Sequence, residues 1–213
     1  MINLHTTTLK VTLLTAFVSA CTTLTPKVNS GEVLFQDDFS RPSSGWDRYE
    51  DETYSSDYEN EVYTIEIHQR NTEAWALPDL EFEDVIINVE SSKVAGPNDN
   101  IFGIICRYRD SENFTFFLIS SDGYAGIGVN VHGEKELLSH PTLLPSAAVE
   151  TGEGNNYLRA ECVGEQLRLM VNGQLVAQAI APDEILGDVG LIAGSYDNSG
   201  VKIRFDNFST IQP

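Results

Sequence analysis

Basic residues are scarce in this chain: 13 lysines and arginines stand against 32 aspartates and glutamates, a formal net charge of −19 over 213 residues. Such a surface repels nucleic acid and anionic lipid headgroups, so polyanion partners are excluded. Cysteine is nearly absent. Cys21, Cys106 and Cys162 are too few for a disulfide-framed mini-domain, and with His68, His132 and His140 at no ligand spacing they do not form a zinc motif. No apolar run reaches the ~18–20 residues that a membrane-spanning helix needs. Helical periodicity is missing too: Pro182 to Leu186 allows one turn at most. A chain this long, 41% hydrophobic, without helices and without a disulfide framework, must bury its core between sheets.

The strands are legible from alternation. Ile101 to Asn130 reads IFGIICRYRDSENFTFFLISSDGYAGIGVN, three β-branched and aromatic runs separated by DSE and SDG, the form of an antiparallel meander. In its first run Phe102, Ile104, Cys106 and Tyr108 share one face, and Gly103, Ile105 and Arg107 the other. EVLFQDDF (32–39), EVYTIEIH (61–68), AWAL (74–77) and DVIINVE (84–90) add strands before the meander. After it come Asn156 to Cys162, Gln166 to Val171, Gln174 to Ala179, VGLIAGS and VKIRFDNFST. Asn172-Gly173 between two apolar runs predicts a type I′ hairpin, because both turn positions need positive φ. Asp47 to Glu61, crowded with acids and tyrosines, reads as a loop at a sandwich edge. About a dozen strands and little helix make an antiparallel two-sheet sandwich over residues 32–213.

Residues 1–20, MINLHTTTLKVTLLTAFVSA, have a polar start with Lys10, a short apolar stretch and small residues before Cys21, the layout of an export signal. Val18-Ser19-Ala20-Cys21 resembles the bacterial lipobox, in which the cysteine is lipidated and becomes the mature N-terminus. Val18-x-Ala20 also satisfies ordinary signal cleavage, so both routes stay open. Lipidation at Cys21 places the protein outside the cytoplasm, anchored to a membrane without crossing it. Residues 21–31 then serve as a tether of at most about 35 Å.

Phe35-Gln36-Asp37-Asp38-Phe39-Ser40 with Trp46, then GIICRYRD, NFTFFLISSDG, LRAECVGEQLRLMVNG, DVGLIAGS and FDNF, together resemble concanavalin A-like jelly-roll domains. Among these the chain is similar to bacterial surface members related to laminarinases and to 3-keto-disaccharide hydrolase-like domains, over roughly residues 32–211. The resemblance implies two curved stacked sheets with a glycan lying across the concave face. Alternation maps Thr64, Glu66, Trp75, Asn88, Gly103, Arg107, Thr115 and Phe117 to the non-core face, and Trp75, Arg107, Glu66, Asn88 and Phe117 are the candidate ligand contacts. Aromatic rings stack on a pyranose while Arg, Asn and Glu bond its hydroxyls; the opposing reading makes Trp75 and Phe117 packing residues. In laminarinase-like folds a structural calcium sits where the first strand meets the last, which implies Asp38 and Asp206 as its carboxylates.

The catalytic pattern of laminarinase-type hydrolases, E-x-D-x-x-E on one strand, is absent. Glu59-Asn60-Glu61 and Glu81-Phe82-Glu83-Asp84 lack the spacing, and Ala193-Gly194-Ser195-Tyr196 is the nearest approach to a nucleophile elbow. No catalytic residue is assigned. Cys106 and Cys162 both face inward, as a disulfide between neighbouring strands or as two buried thiols. The expectation is a non-catalytic, lipid-anchored surface module binding a glycan or a surface protein. A glycoside hydrolase with an unfamiliar carboxylate pair and a structural envelope protein are the alternatives.

Overall fold

The computed structural model describes residues 29–181 and 186–213. The export signal, Cys21 and most of the tether lie outside the described residues, as does most of the short turn expected at 182–186. Everything described is strand, turn or irregular chain, in seventeen strands. In chain order they are β1 (Val33–Asp37), β2 (Tyr49–Glu50), β3 (Tyr54–Glu59), β4 (Val62–Ile67), β5 (Thr72–Ala76) and β6 (Glu81–Phe82). The middle of the chain forms β7 (Val85–Ala95), β8 (Asn100–Asp110), β9 (Asn113–Ile119), β10 (Tyr124–Val131), β11 (Glu134–Leu137) and β12 (Leu144–Pro145). The last five are β13 (Asn156–Val163), β14 (Gln166–Val171), β15 (Gln174–Ile180), β16 (Gly187–Ser195) and β17 (Val201–Ile211).

All pairings are antiparallel, in two sheets. Sheet A runs β15-β14-β13-β7-β17-β4-β3-β2, with β1 added on β17. Sheet B runs β11-β10-β9-β8-β16-β5, with β12 on β10 and β6 on β16. This is the expected jelly-roll sandwich. The strands beyond the expected dozen are mostly pieces of two to four residues at sheet margins.

Alternating residues of both sheets meet in the middle. Ile65, Ile87, Val89, Phe205 and Leu158 from sheet A pack on Phe102, Ile104, Phe117, Ile127 and Leu191 from sheet B, all of them buried. Asn172 and Gly173 adopt φ of 51° and 79°, the type I′ geometry that turns β14 into β15. A second two-residue hairpin, Asn60-Glu61 with φ of 51° and 62°, joins β3 to β4. The acidic tyrosine run is therefore largely strand where a loop was expected. Its acids and serines still alternate, with Ser56 buried and Ser55 and Asp57 outward against Glu66 and Thr64.

The FQDDFS and Trp46 motif builds a corner. The Asp37 carboxylate accepts hydrogen bonds from Phe39 N (2.9 Å), Trp46 Nε1 (3.0 Å) and the Ser44 hydroxyl. Trp46 packs at 4.8 Å from Phe208 and 5.4 Å from Phe39. A buried carboxylate with three donors is satisfied, so Asp37 holds the chain entry onto β17.

Candidate functional site

The site is built by a fault in one strand. β8 pairs regularly with β9 from Phe102 to Cys106, then loses register up to Asp110, and Arg107 takes a φ of 56°. The extra residue is a β-bulge, which reverses the facing of the residues after it. Tyr108, expected inward by strict alternation, turns to the outer face of sheet B, and Arg107 reaches the other way. Its guanidinium donates to the Gly164 carbonyl in the β13–β14 turn of sheet A.

On β9 the pairing settles a choice that periodicity leaves open, because both of its faces are apolar. Phe117 opposes Ile104 and Thr115 opposes Cys106, so these two point into the sandwich. Phe114, Phe116 and Leu118 face outward instead, with Ile101 and Ile105 of β8 and Ile192 of β16. The outer face of sheet B is thus a second apolar cluster. Small residues on β10 make room for it: a side chain at Gly128 would collide with the Phe116 ring at 2.5 Å, and one at Gly126 with Leu143 at 2.6 Å.

Sheet B curls until its margins meet across this face. Trp75 and Phe114 sit three strands apart in the sheet order, yet their rings are 5.5 Å apart. Glu73 on β5 and Lys135 on β11, the two ends of that order, form an ion pair. Glu73 and Trp75 both point outward because Ala74 and Ala76 fill the core positions between them.

At the other end of the face the cluster remains partly open. Trp75 and Tyr108 are half-buried, with rings 6.3 Å apart, and Tyr108 stacks on Phe114 at 5.8 Å. Asp188 of β16 pairs in register with Tyr108. One of its carboxylate oxygens accepts the N–H groups of Leu80 (2.8 Å) and Val189 (2.7 Å). Burial outweighs those bonds and pushes the Asp188 carboxyl up to about 6, with Asp79 adding repulsion. Burial likewise raises the Tyr108 phenol, helped by the charges of Asp110, Asp47 and Asp188. Half-exposed aromatic rings beside a carboxyl poised near neutrality have the composition of a small-molecule site.

Of the five expected ligand residues, Trp75 alone stands in this cluster. Phe117 belongs to the core. Arg107 is buried as a tie between the sheets. Glu66 and Asn88 lie on the outer face of sheet A, on the far side of the sandwich from Trp75. They oppose Lys202 and Ser209, seven positions apart on β17, which separates them by roughly 20 Å. Glu66 lines a polar groove with Arg48, Tyr49, Asp57, Glu59 and Lys202, whereas Asn88 is buried, donating weakly to Ser209. The expected site is therefore divided between two opposite surfaces. Alternation alone does not single out Tyr108, Phe114 or Asp188. The bulge that exposes Tyr108 has no signature in IICRYRD, and Asp188 draws notice only through its partner strand.

Asp38 and Asp206 do lie near each other where β1 meets β17. The Asp206 carboxyl is raised, by burial first and then by the charges of Glu90 and Asp38. Asp38 is instead lowered, because its Oδ1 accepts from the Ser40 hydroxyl (2.6 Å) and N–H (3.1 Å). Among the described residues no group of three or more His, Cys, Asp or Glu side chains is placed to hold an ion. The two expected carboxylates are thus brought together, and the remaining oxygens that calcium takes would have to come from carbonyls and water. Cys106 and Cys162 are joined in a disulfide with Cα atoms 6.9 Å apart, stapling β8 of sheet B to β13 of sheet A beside the Arg107 tie.

The chain matches no family model and no curated protein in sequence. Its fold is similar to that of carbohydrate-binding module CBM66 from Bacillus subtilis, with a TM-score of 0.63 at 13% identity, covering 79% of this chain and 96% of that one. A galectin-like protein of unknown function from the same organism aligns with a TM-score of 0.63 at 10% identity, over 87% and 98% of the two chains. A β-glucanase from Bacillus licheniformis gives 0.60 at 9%, over 87% and 100%. At such identities the likeness establishes the jelly-roll fold, which carries both carbohydrate-binding and glycoside-hydrolase domains.

Proposed function

We propose that this protein is an extracytoplasmic carbohydrate-binding module, tethered to a membrane through lipidated Cys21. The observation that carries the reading is the partly exposed pair Trp75 and Tyr108, packed on buried Phe114 beside Asp188 on the outer face of sheet B. Flat aromatic surface takes the C–H face of a sugar ring, and a partly protonated carboxyl both donates to and accepts from hydroxyls. Structural neighbours that include a carbohydrate-binding module support the ligand class. The Cys106–Cys162 disulfide suits the oxidising surroundings of an exported protein.

The second reading is hydrolysis. An acid whose folded pKa stands about 6 is suited to protonate a leaving oxygen, and Asp47 and Asp110 supply further carboxylates within electrostatic range of Tyr108. Binding is favoured because the sequence holds no paired-carboxylate motif and none of these acids alternates on one strand.

The test is retention of the purified protein on insoluble polysaccharides, with released reducing sugar assayed in the same tubes. The expected result is retention without release, lost in Trp75→Ala while the melting profile remains cooperative. Sugar release abolished by Asp188→Asn establishes the hydrolase instead. Retention unchanged in Trp75→Ala removes the site from sheet B. For the anchor, Cys21→Ser is expected to move the protein from the membrane fraction to the soluble fraction.

A further inference from the structure

We propose that the gap at the β8 bulge is a second binding site, for a small organic carboxylate that also carries hydroxyl groups. It is separate from the Trp75 rim, and either reading can fail without the other.

The gap follows from the pairing. Cys106 opposes Thr115 and Asp110 opposes Asn113, so residues 107–109 of β8 stand against the single Phe114 of β9. With three residues facing one, the ladder is interrupted. A cavity of about 410 Å³ lies there, within the size range of small-molecule sites. Both sheets line it: Arg107, Thr115 and Val129 come from β8, β9 and β10 of sheet B, and Ala181 follows β15 of sheet A. Thr115 and Val129 oppose each other in register and face into the sandwich, so the floor lies between the sheets. Arg109, and His132 of the β10–β11 turn, stand on the exposed side.

The groups that meet a ligand here are cationic or hydroxylic. Arg107 holds one wall, tied to the Gly164 carbonyl. Arg109 is exposed, and its guanidinium makes no hydrogen bond or ion pair among the described residues. Its charge acts on neighbouring Asp110, whose Oδ1 already accepts from the Glu112 N–H (2.9 Å) and Asn113 Nδ2 (2.8 Å). His132 is fixed through its backbone N–H, which donates to Asn113 Oδ1 at 3.2 Å, and its ring has no hydrogen-bond partner among the described residues. Thr115 is 4% exposed, yet its hydroxyl is also without a partner among the described residues. A buried hydroxyl that lines a cavity is satisfied by a group from outside the chain.

This set selects charge and size. A guanidinium fork matches the two oxygens of a carboxylate, and an imidazole and a hydroxyl suit alcohol groups beside it. Val129, Val131 and Ala181 cover a carbon skeleton, which an inorganic anion lacks. A phosphate ester brings about two charges into the field of a chain of net charge −19, and a carboxylate brings one. Free hydroxy acids and the uronate units of a glycan share this chemistry.

The test is calorimetric titration of the purified full chain with glucuronate, gluconate, glucose and inorganic phosphate. Saturable binding of glucuronate or gluconate is expected, at least about tenfold tighter than that of glucose or phosphate. Arg109→Gln, at an exposed position, is expected to weaken it by about ten- to a hundredfold, and the near-isosteric Thr115→Val by about three- to tenfold. Lys202→Ala removes an equal charge from sheet A and is expected to leave affinity within about twofold. Glucose binding as tightly as glucuronate overturns the carboxylate assignment. Affinity unchanged in Arg109→Gln, an equal loss in Lys202→Ala, or no saturable binding of either acid overturns the site. Full affinity in Thr115→Val contradicts entry between the sheets. Polygalacturonate oligomers separate the two sources: their competition with glucuronate assigns a glycan, and competition by monomers alone assigns a free acid, with the site upheld in both cases.

Discussion

The two sheets of this sandwich present opposite outer faces, and the proposed carbohydrate site lies on only one of them. On sheet A the outward positions hold paired charges: Arg48 with Asp57 at 2.6 Å, Lys202 with Glu59 at 2.7 Å and Glu66 at 3.3 Å, and Arg159 with Glu161 at 3.0 Å. These are solvated pairs, each worth about 0–1 kcal/mol. On sheet B the outward positions hold Ile101, Ile105, Phe116, Leu118 and Ile192, none more than 6% exposed. One face keeps its water, and the other curls over an apolar filling and leaves aromatic rings at its rim. The same fold therefore carries one charged outer surface and one apolar outer surface with aromatic rings at its rim.

That contrast breaks first in stability. Phe116→Ala on sheet B is expected to cost about 3–5 kcal/mol, since it empties a filled aromatic site with little room to relax; urea midpoints measure it. Reducing the Cys106–Cys162 bond, which closes a 56-residue separation, is expected to cost about 4 kcal/mol on chain-entropy grounds and to loosen both sheets together.

A smaller effect comes from Asp188. Its carboxyl is raised in the folded state to about 6, so folding takes up a proton that the unfolded chain binds only at lower pH. The group's favourable contribution is complete below the ordinary carboxylate range and is lost as pH rises through about 6. The melting temperature of Asp188→Asn is accordingly expected to exceed that of the parent at pH 7.5, by up to about 2–3 kcal/mol in stability, and to converge with it near pH 4. Asparagine keeps an oxygen for the Leu80 and Val189 N–H groups, so the substitution isolates the charge. A parent curve with no such slope contradicts the burial of this carboxyl. Smallest of all, Lys202→Ala on sheet A is expected to change stability by less than about 1 kcal/mol and to leave glycan retention untouched.

The scaffold was largely legible in the sequence because one rule, alternation, acts within each strand, and because Asn172-Gly173 has one turn that suits it. The meander, the inward faces of β4 and β7 and the jelly-roll class all rest on it. Residues at the site depend on information from other strands. Phe117 and Phe116 are indistinguishable in NFTFFLIS, and only the opposition of Phe117 to Ile104 sends one to the core and the other to the rim. Arg107 and Tyr108 exchange faces because of a bulge that a non-glycine residue adopts at positive φ. Glu66 and Asn88 alternate correctly, but on strands that belong to the other sheet, a fact of topology that no local pattern encodes.

The central claim, that sugar meets the Trp75 rim of sheet B, has a direct readout in the two indole N–H signals of the protein. Trp46 is 4% exposed and donates to Asp37 at 3.0 Å, whereas Trp75 is half-open at the rim. On titration with short oligosaccharides of whichever glycan retains the protein, the Trp75 indole resonance is expected to shift and saturate while that of Trp46 stays in place. Saturable binding with the Trp75 signal unmoved contradicts the account.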